Sequence, residues 1–464
     1  MKIQAGSRGE AEFPVAPELW RELKELLRLA SPIVLSELGW MTMSVVDLAM
    51  VGKLGPAAIG AVGLGNAIYY GPSLFGIGLL LGLDTVVSQA WGRRDFDECH
   101  QWLAQGVYMA LAVTAPVMLL TLLGSVLLTN HGVNAQVSGL TQRYVELLNF
   151  GTLPLLVYGA FRRYLQGVGQ VRSISFALVS ANLVNWVLNW ALIYGHFGFP
   201  AMGVRGSAIS TCFARLYMAL VLVYAAWAHE RGRGHSLFGR WPGVNLARLR
   251  RLCALGLPAG TQVVLEVTAF GAATVMAAHL DPISLATHEI VLNCAAYTYM
   301  VPLGISAAAA VAVGHATGAG DRARAGRAGY MAIGLGAGFM ALMACIFLLF
   351  PRTILSIWTH NEQVFALGTH ILLLVAGFQI FDGIQSVTTG ALRGMGETRF
   401  PMWMNLGAYW VFGLPVGGVL CFVLGWRLTG LWTGLTAALI ALALVLLLRW
   451  RRDLRRSVQV EAVL

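Results

Sequence analysis

Apolar residues run through this chain in blocks too long for the core of a soluble domain. Twelve stretches approach or exceed the roughly 20 residues that a helix needs to cross a bilayer. They are 29–51, 58–83, 101–126, 143–161, 173–195, 204–227, 252–278, 284–312, 328–350, 364–390, 401–424 and 429–448. Each is expected to be a helix, because lipid cannot satisfy an unpaired backbone polar group. Polar segments separate them, the longest around 228–250, near the midpoint. Ahead of the first span, residues 18–28 mix Leu and Trp with Glu, Lys and Arg, the pattern of a short interfacial amphipathic helix. Residues 1–17, with Pro14 and Pro17, have no apolar segment of the kind a signal peptide needs. An even number of spans puts both termini on one side.

Composition agrees. Hydrophobic residues make up 57% of the 464 positions and charged residues only 12%, about half the usual ~25% of a soluble protein. The fold class read from this is an all-α integral membrane protein with twelve transmembrane helices. A soluble enzyme or nucleic-acid binder is excluded. The net charge of +10 is therefore a question of placement. With the spans as drawn, 26 of the 32 Lys and Arg residues fall on the side of the termini, which the positive-inside rule makes cytoplasmic. The six cysteines form no C-x-x-C pair and read as small core residues. The only Gly-Lys pair, Gly52-Lys53, is followed by Leu54, so no P-loop is present. No zincin motif and no nucleophile elbow is present either, which leaves no enzyme to propose and no cofactor.

The chain repeats itself. Pro32 pairs with Pro258, Leu54-Gly55-Pro56 with Leu280-Asp281-Pro282, and Gly92-Arg93-Arg94-Asp95 with Gly318-Ala319-Gly320-Asp321, all 226 residues apart. Leu165-Gln166-Gly167-Val168-Gly169 pairs with Leu392-Arg393-Gly394-Met395-Gly396 at 227. The expected organisation is a tail with an amphipathic helix (1–28), a six-helix lobe (29–227), a linker (228–251), a second six-helix lobe (252–448) and a basic tail (449–464). Both repeats start on the same side, so an axis along the membrane normal relates them. Transporters of this build bind their cargo between the halves.

Seven of the 22 acidic residues fall inside spans or at a span's edge: Glu37, Asp47, Asp84, Glu146, Glu266, Glu289 and Asp382. A charge at a helix centre costs about 2.5–3.5 kcal/mol on insertion scales. Asp84, Glu146 and Glu289 lie near span ends, where water or a helix terminus can satisfy them. The deeper acids are not imposed by the duplicated scaffold. The counterparts of Asp47, Glu266 and Asp382 are Ala273, Trp40 and Leu155. A carboxyl group kept from water can take and release a proton, and with neighbouring oxygens it can hold Na⁺. Asn182, Asn185 and Asn189 recur on one helix face, as ligands beside Asp47 or as interhelical glue. Rings in the same spans, Tyr69, Trp186, Phe270, Tyr297, Tyr299 and Phe378, are candidates for binding a lipophilic cation.

Four motifs together resemble the multidrug and toxic compound extrusion (MATE) family, NorM-like branch. They are Val46-Asp47-Leu48-Ala49-Met50-Val51-Gly52, Gly82-Leu83-Asp84-Thr85 running to Trp91-Gly92, Pro302-Leu303-Gly304-Ile305-Ser306 running to Gly320-Asp321, and Gly390-Ala391-Leu392-Arg393-Gly394-Met395-Gly396. The resemblance covers about residues 25–450. It implies a V-shaped pair of six-helix lobes and drug efflux in exchange for Na⁺ or H⁺ by alternating access. It assigns Asp47, Asn185 and Asn189 to the first lobe's cation and proton site, and Glu266 and Asp382 to the second lobe's. Glu37 and Asn182 are accessory candidates. Na⁺ binding is expected at Glu266, Asp382 or Asp47. The expected cargo is small lipophilic drugs and toxic organic cations. The expected setting is a bacterial inner membrane, with the chain a monomer and no nucleic-acid partner. The alternative is a lipid-linked precursor flippase, which needs a basic cluster in its cavity where this sequence offers only Arg215.

Overall fold

The computed structural model describes residues 16–129, 135–233, 239 and 241–461. The parts of the tail and linker readings that fall on 1–15, 234–238, 240 and 462–464 lie outside the described residues. Every regular element is helical. The first half contains α1 (Ala16–Gly52), α2 (Pro56–Leu79), α3 (Gly82–Gly92), α4 (Phe96–Thr129), α5 (Ala135–Asn149), α6 (Thr152–Gly167), α7 (Val171–Tyr194) and α8 (Val204–Gly232). The second contains α9 (Leu246–Ala278), α10 (Pro282–Gly318), α11 (Arg322–Leu349), α12 (Pro351–Ser356), α13 (Glu362–Met395), α14 (Arg399–Asn405), α15 (Leu414–Gly418) and α16 (Arg427–Glu461). Eleven helical stretches are long and apolar enough to span a membrane, and a bent pair brings the number to twelve.

Departures from the drawn spans have local causes. The second span breaks at Leu80-Leu81 and runs on as α3 to Gly92. The fourth is α5 and α6, bent by 46°. At that bend Gly151 lies against Cys212 and Arg215 of α8, where an added Cβ would meet the cysteine sulfur at 3.0 Å. Residues 18–28 are not a separate interfacial helix. They are the first turns of α1, held by Glu22–Arg327 (2.7 Å) and Glu25–Arg324 (3.1 Å) against the start of α11. The eleventh span contains π-helical turns at Leu406–Gly413 and Val419–Val423.

Arg162 and Arg163, expected in a cytoplasmic loop, are buried in α6. Arg162 pairs with Glu37. Asp84, fully buried, lies 3.4 Å from Arg163 and 3.5 Å from Arg393 of the other half. A buried arginine is tolerated only with such a partner.

The halves meet near the face that carries the chain termini. Thr85 Oγ1 donates to the Arg393 carbonyl (2.6 Å), Gln89 Nε2 to the Gly394 carbonyl (2.9 Å), and His315 Nε2 lies 2.7 Å from the Gly167 carbonyl. Glycines let the backbones touch there. A Cβ at Gly256 would stand 1.9 Å from the Leu79 carbonyl oxygen, and one at Gly92 2.1 Å from that of His315.

Candidate functional site

Two clusters of buried polar groups stand away from this seam, one in each half. In the first, α1 carries Asp47 one and a half turns before its end at Gly52. The carboxylate is buried (8% exposed). Asn189 Nδ2 of α7 donates to Asp47 Oδ1 at 2.5 Å and to Asn185 Oδ1 at 3.1 Å. Thr211 Oγ1 of α8 lies 3.3 Å from Asp47 Oδ2. These groups flank a cavity of about 20 Å³ lined by Trp40, Met43, Ser44, Asp47, Tyr70, Thr211, Arg215 and Met218, room for about one water. Neutral donors thus hold the acid, and no salt bridge neutralises it among the described residues.

The third asparagine does a different job. Asn182 Nδ2 donates to the Gly39 carbonyl at 3.0 Å, tying α7 to α1. Glu37 is removed as well, being committed to Arg162 and lying about 15 Å further along α1 at 1.5 Å per residue. Trp186 departs from expectation. It belongs to an exposed stripe with Phe176, Val179, Leu183 and Trp190, on the side of α7 turned away from Asp47. That stripe has the spacing and chemistry of a lipid-facing surface. Tyr69 is fully buried, with its hydroxyl on Thr152 (3.1 Å) and Arg215 (2.6 Å).

The second cluster gathers Glu266 of α9, Tyr299 of α10, Asp382 of α13, and Asn405 and Tyr409 of the eleventh span. Asn405 Nδ2 lies 3.4 Å from Glu266 Oε2. The π-helical turn that follows Asn405 brings Tyr409 inward, fully buried, and π-turns commonly mark functional positions. Asp382 is 6% exposed. Among the described residues it has neither a hydrogen-bond donor nor a basic partner. Gln379, one turn before it on the same face, donates to Thr298 at 2.7 Å. Its Oε1, like Asn405 Oδ1, is buried without a partner. Tyr299 accepts from Ser386 at 3.4 Å, and Tyr297 is half-buried two residues before it. Phe270 packs edge-on against Phe378 (6.2 Å between centroids), and Phe378 in turn against Trp432 (5.9 Å). Phe378 is interior packing.

Sequence reasoning missed Thr211, Asn405 and Tyr409, and it noted Arg215 as a deep arginine without placing it beside Asp47. Thr211 and Arg215 are one turn apart on α8, so a polar pair at i, i+4 inside an apolar span was the available signal. Asn405 and Tyr409 had the same spacing, hidden by the π-turn.

The MatE family profile matches residues 32–191 and 258–419, two segments that begin 226 residues apart, the offset of the internal repeat. The chain is 35% identical to the probable multidrug resistance protein NorM of Mesorhizobium japonicum, with 97% of each chain covered. It is 33% identical to the multidrug resistance protein NorM of Burkholderia vietnamiensis, with 96% of this chain and 97% of the relative covered. Among solved structures, its fold matches the eukaryotic MATE transporter AtDTX14 with a TM-score of 0.84 at 21% identity, covering 95% and 98% of the two chains. It matches a MATE in the bent conformation with a TM-score of 0.87 at 19% identity, covering 96% and 98%. A doubled profile match and near-full-length relatives above 30% identity establish that this multi-pass membrane protein belongs to the MATE family of transporters, among its NorM-like multidrug members.

Proposed function

We propose that this transporter is a secondary antiporter that exports lipophilic, mostly cationic compounds in exchange for Na⁺ or H⁺. The observation that carries the reading is the pair of buried acid clusters. Among the described residues neither Asp47 nor the Glu266–Asp382 pair is ion-paired with an arginine, whereas Glu37 and Asp84 are. Acids held this way can exchange a cation, while salt-bridged acids are committed to structure. The reading places the six-helix lobes at 29–227 and 252–448, joined by the linker 228–251. Both termini are cytoplasmic, in a bacterial inner membrane, and the chain works as a monomer. With the termini inside, the closed seam is the cytoplasmic one.

The second cluster suits Na⁺: two carboxylates, with no ion-paired base among the described residues, and unpartnered amide oxygens form a set of oxygen ligands for a hard cation. Asp47, with its amide and hydroxyl donors, suits a proton. One elementary charge crossing 100 mV supplies about 2.3 kcal/mol, enough for a roughly 50-fold substrate gradient at 1.4 kcal/mol per decade. The flippase alternative lacks support, because Arg162, Arg163 and Arg393 are occupied by Glu37 and Asp84.

The test is ethidium efflux from proteoliposomes under an imposed pH or Na⁺ gradient. Asp47→Asn, Glu266→Gln and Asp382→Asn are each expected to abolish gradient-driven movement. Efflux that persists in all three would refute the proposal.

A further inference from the structure

The start of α1 carries three acids, Glu18, Glu22 and Glu25, and three bases, Arg21, Lys24 and Arg28. A helix with this spacing can pair its charges internally, three or four residues apart. This one does not. Glu22 and Glu25 reach across to Arg327 and Arg324 of α11, at 2.7 and 3.1 Å. Arg21, Lys24 and Arg28 are exposed, and among the described residues they have no ion pair. Other arginines on the face of the termini do have one: Arg93 pairs with Glu98, and Arg449 with Glu397 and Asp453.

At 100° per residue, Trp20, Lys24, Leu27, Arg28, Ser31 and Leu35 share one side of α1, with Arg21 at its edge. All of them are exposed. Leu26, Ala30 and Ile33, on the side packed into the protein, are buried. The outward side changes character along its length. Leu35 is half exposed within the apolar run 29–51, so it belongs among lipid tails. Arg28, Lys24 and Arg21 lie roughly 10, 16 and 21 Å further toward the terminus at 1.5 Å per residue, just past the end of that run. That is the depth of the headgroups. Trp20 sits there too, 56% exposed, with Lys24 Nζ 5.3 Å from its ring centroid, and aromatic rings and bases favour this level. Like charges three and four residues apart repel. The three bases, at i, i+3 and i+7, therefore call for an anion from outside the chain.

We propose that the outward side of α1 is a binding surface for an anionic phospholipid, its phosphate held by Arg21, Lys24 and Arg28 and its tails lying along Leu35. A zwitterionic headgroup brings its own cation and gains less from three bases. A soluble phosphate has the charge but no tails to place beside Leu35. Each base held near an anionic membrane strengthens attachment about fivefold. The acids of the same turns grip the second half, so the lipid sits on the helix that ties the halves together.

The experiment uses the full-length transporter in nanodiscs made from equal amounts of dioleoylphosphatidylglycerol and dioleoylphosphatidylcholine. Ser31→p-benzoylphenylalanine places a photoreactive group on the outward side, and mass spectrometry of the adducts gives the ratio of anionic to zwitterionic lipid. With all three bases present the anionic lipid should dominate. Arg21→Gln, Lys24→Gln and Arg28→Gln, each added to that background, should lower the ratio about fivefold, and the triple variant should bring it near one. Lys24→Arg should preserve it. Arg451→Gln with Arg452→Gln, exposed bases of α16, should leave it unchanged. A ratio near one with every base present would overturn the proposal. So would a preference that survives the triple variant, or one that the α16 pair removes equally well. Glycerol 3-phosphate in solution should not compete. If it erases the preference, the site takes phosphate alone and the lipid assignment falls.

Discussion

Asp47 in the first half sits among donors, whereas Asp382 in the second has none among the described residues. The halves descend from one repeat, with the same proline starts and glycine turns at a constant offset. Their acids nevertheless stand at unrelated positions on that scaffold. Asp47 is bounded by amides, a hydroxyl and the positive charge of Arg215. Glu266 and Asp382 are bounded by each other, by tyrosines and by unpartnered amide oxygens. Duplication supplied two matching frames, and the side chains inside them differ. The expected division is a proton in the first half and Na⁺ in the second.

The largest expected effect tests that division directly. Asp47→Asn and Asp382→Asn should each stop gradient-driven ethidium efflux, yet they should separate in a thermal-shift titration with NaCl at fixed ionic strength. Na⁺ at about 100 times its Kd stabilises a folded protein by roughly 2.7 kcal/mol. That stabilisation should survive in Asp47→Asn and disappear in Asp382→Asn. If both variants lose it alike, the halves do not divide the ions.

A second effect concerns acids that serve structure. Glu37 and Arg162 are paired, the arginine buried and the carboxylate mostly so. Arg162→Met alone strands the carboxylate and should destabilise the protein by about 3–5 kcal/mol, whereas the double change with Glu37→Gln should recover most of that. Denaturation midpoints of the four proteins decide it. A double variant no better than Arg162→Met would mean that Glu37 is not held by Arg162 alone.

A smaller effect tests the seam between the halves. Gly256→Ala puts a Cβ on the Leu79 carbonyl oxygen, at 1.9 Å before relaxation. Overpacking of this kind costs about 1–3 kcal/mol, and opening the seam relieves it. Cysteines introduced at Thr85 and Arg393, in contact across the seam, should then cross-link more slowly than in the same cysteine pair without Gly256→Ala. Gly63→Ala, which meets nothing within 4 Å, should leave the rate unchanged.

The span count, the repeat and the three deep acids could be read from sequence because each is a one-dimensional signal: run length, offset, and charge inside an apolar run. The partners were less legible. Asn189 was found because it shares a helix face with Asn185. Thr211 was not, because a lone threonine in a membrane helix usually bonds its own backbone, and Thr211 does that too, donating to the Ser207 carbonyl at 3.0 Å. Arg162 and Arg163 were misplaced because a pair of arginines after an apolar run looks like a cytoplasmic loop. Only three-dimensional packing reveals the acids that hold them inside. Trp186 is a candidate only because it shares a span with Asn185 and Asn189, and one residue from Asn185 is already a 100° turn of the helix.

The smallest expected effect lies where the repeat matches in backbone and differs in one side chain. α2 and α10 both begin with proline at the first helical position, Pro56 and Pro282. The residue before each caps the helix. Gly55 has φ +107° and offers no side chain, while Asp281 Oδ1 accepts the Ser284 amide at 2.9 Å and Oδ2 accepts the Ser284 hydroxyl at 2.7 Å. These bonds, together with Arg427, hold the Asp281 carboxyl below its ordinary value of 3.8. A lowered value in the folded state means that the unfolded chain binds the proton first as pH falls. The contribution is complete above the ordinary value and is lost as pH drops through the lowered one. Asp281→Ala should cost about 1 kcal/mol as a lost cap. Asp281→Asn, which keeps an acceptor for the Ser284 amide, should cost less, because the ion pair it removes is exposed on the Arg427 side. The melting-temperature gap between wild type and Asp281→Asn should stay constant from pH 8 to 5 and narrow on acidification below the ordinary carboxylate range. A gap that stays the same at pH 3 would show that the hydrogen-bonding geometry of the cap, and not its charge, is what the second half gained over Gly55.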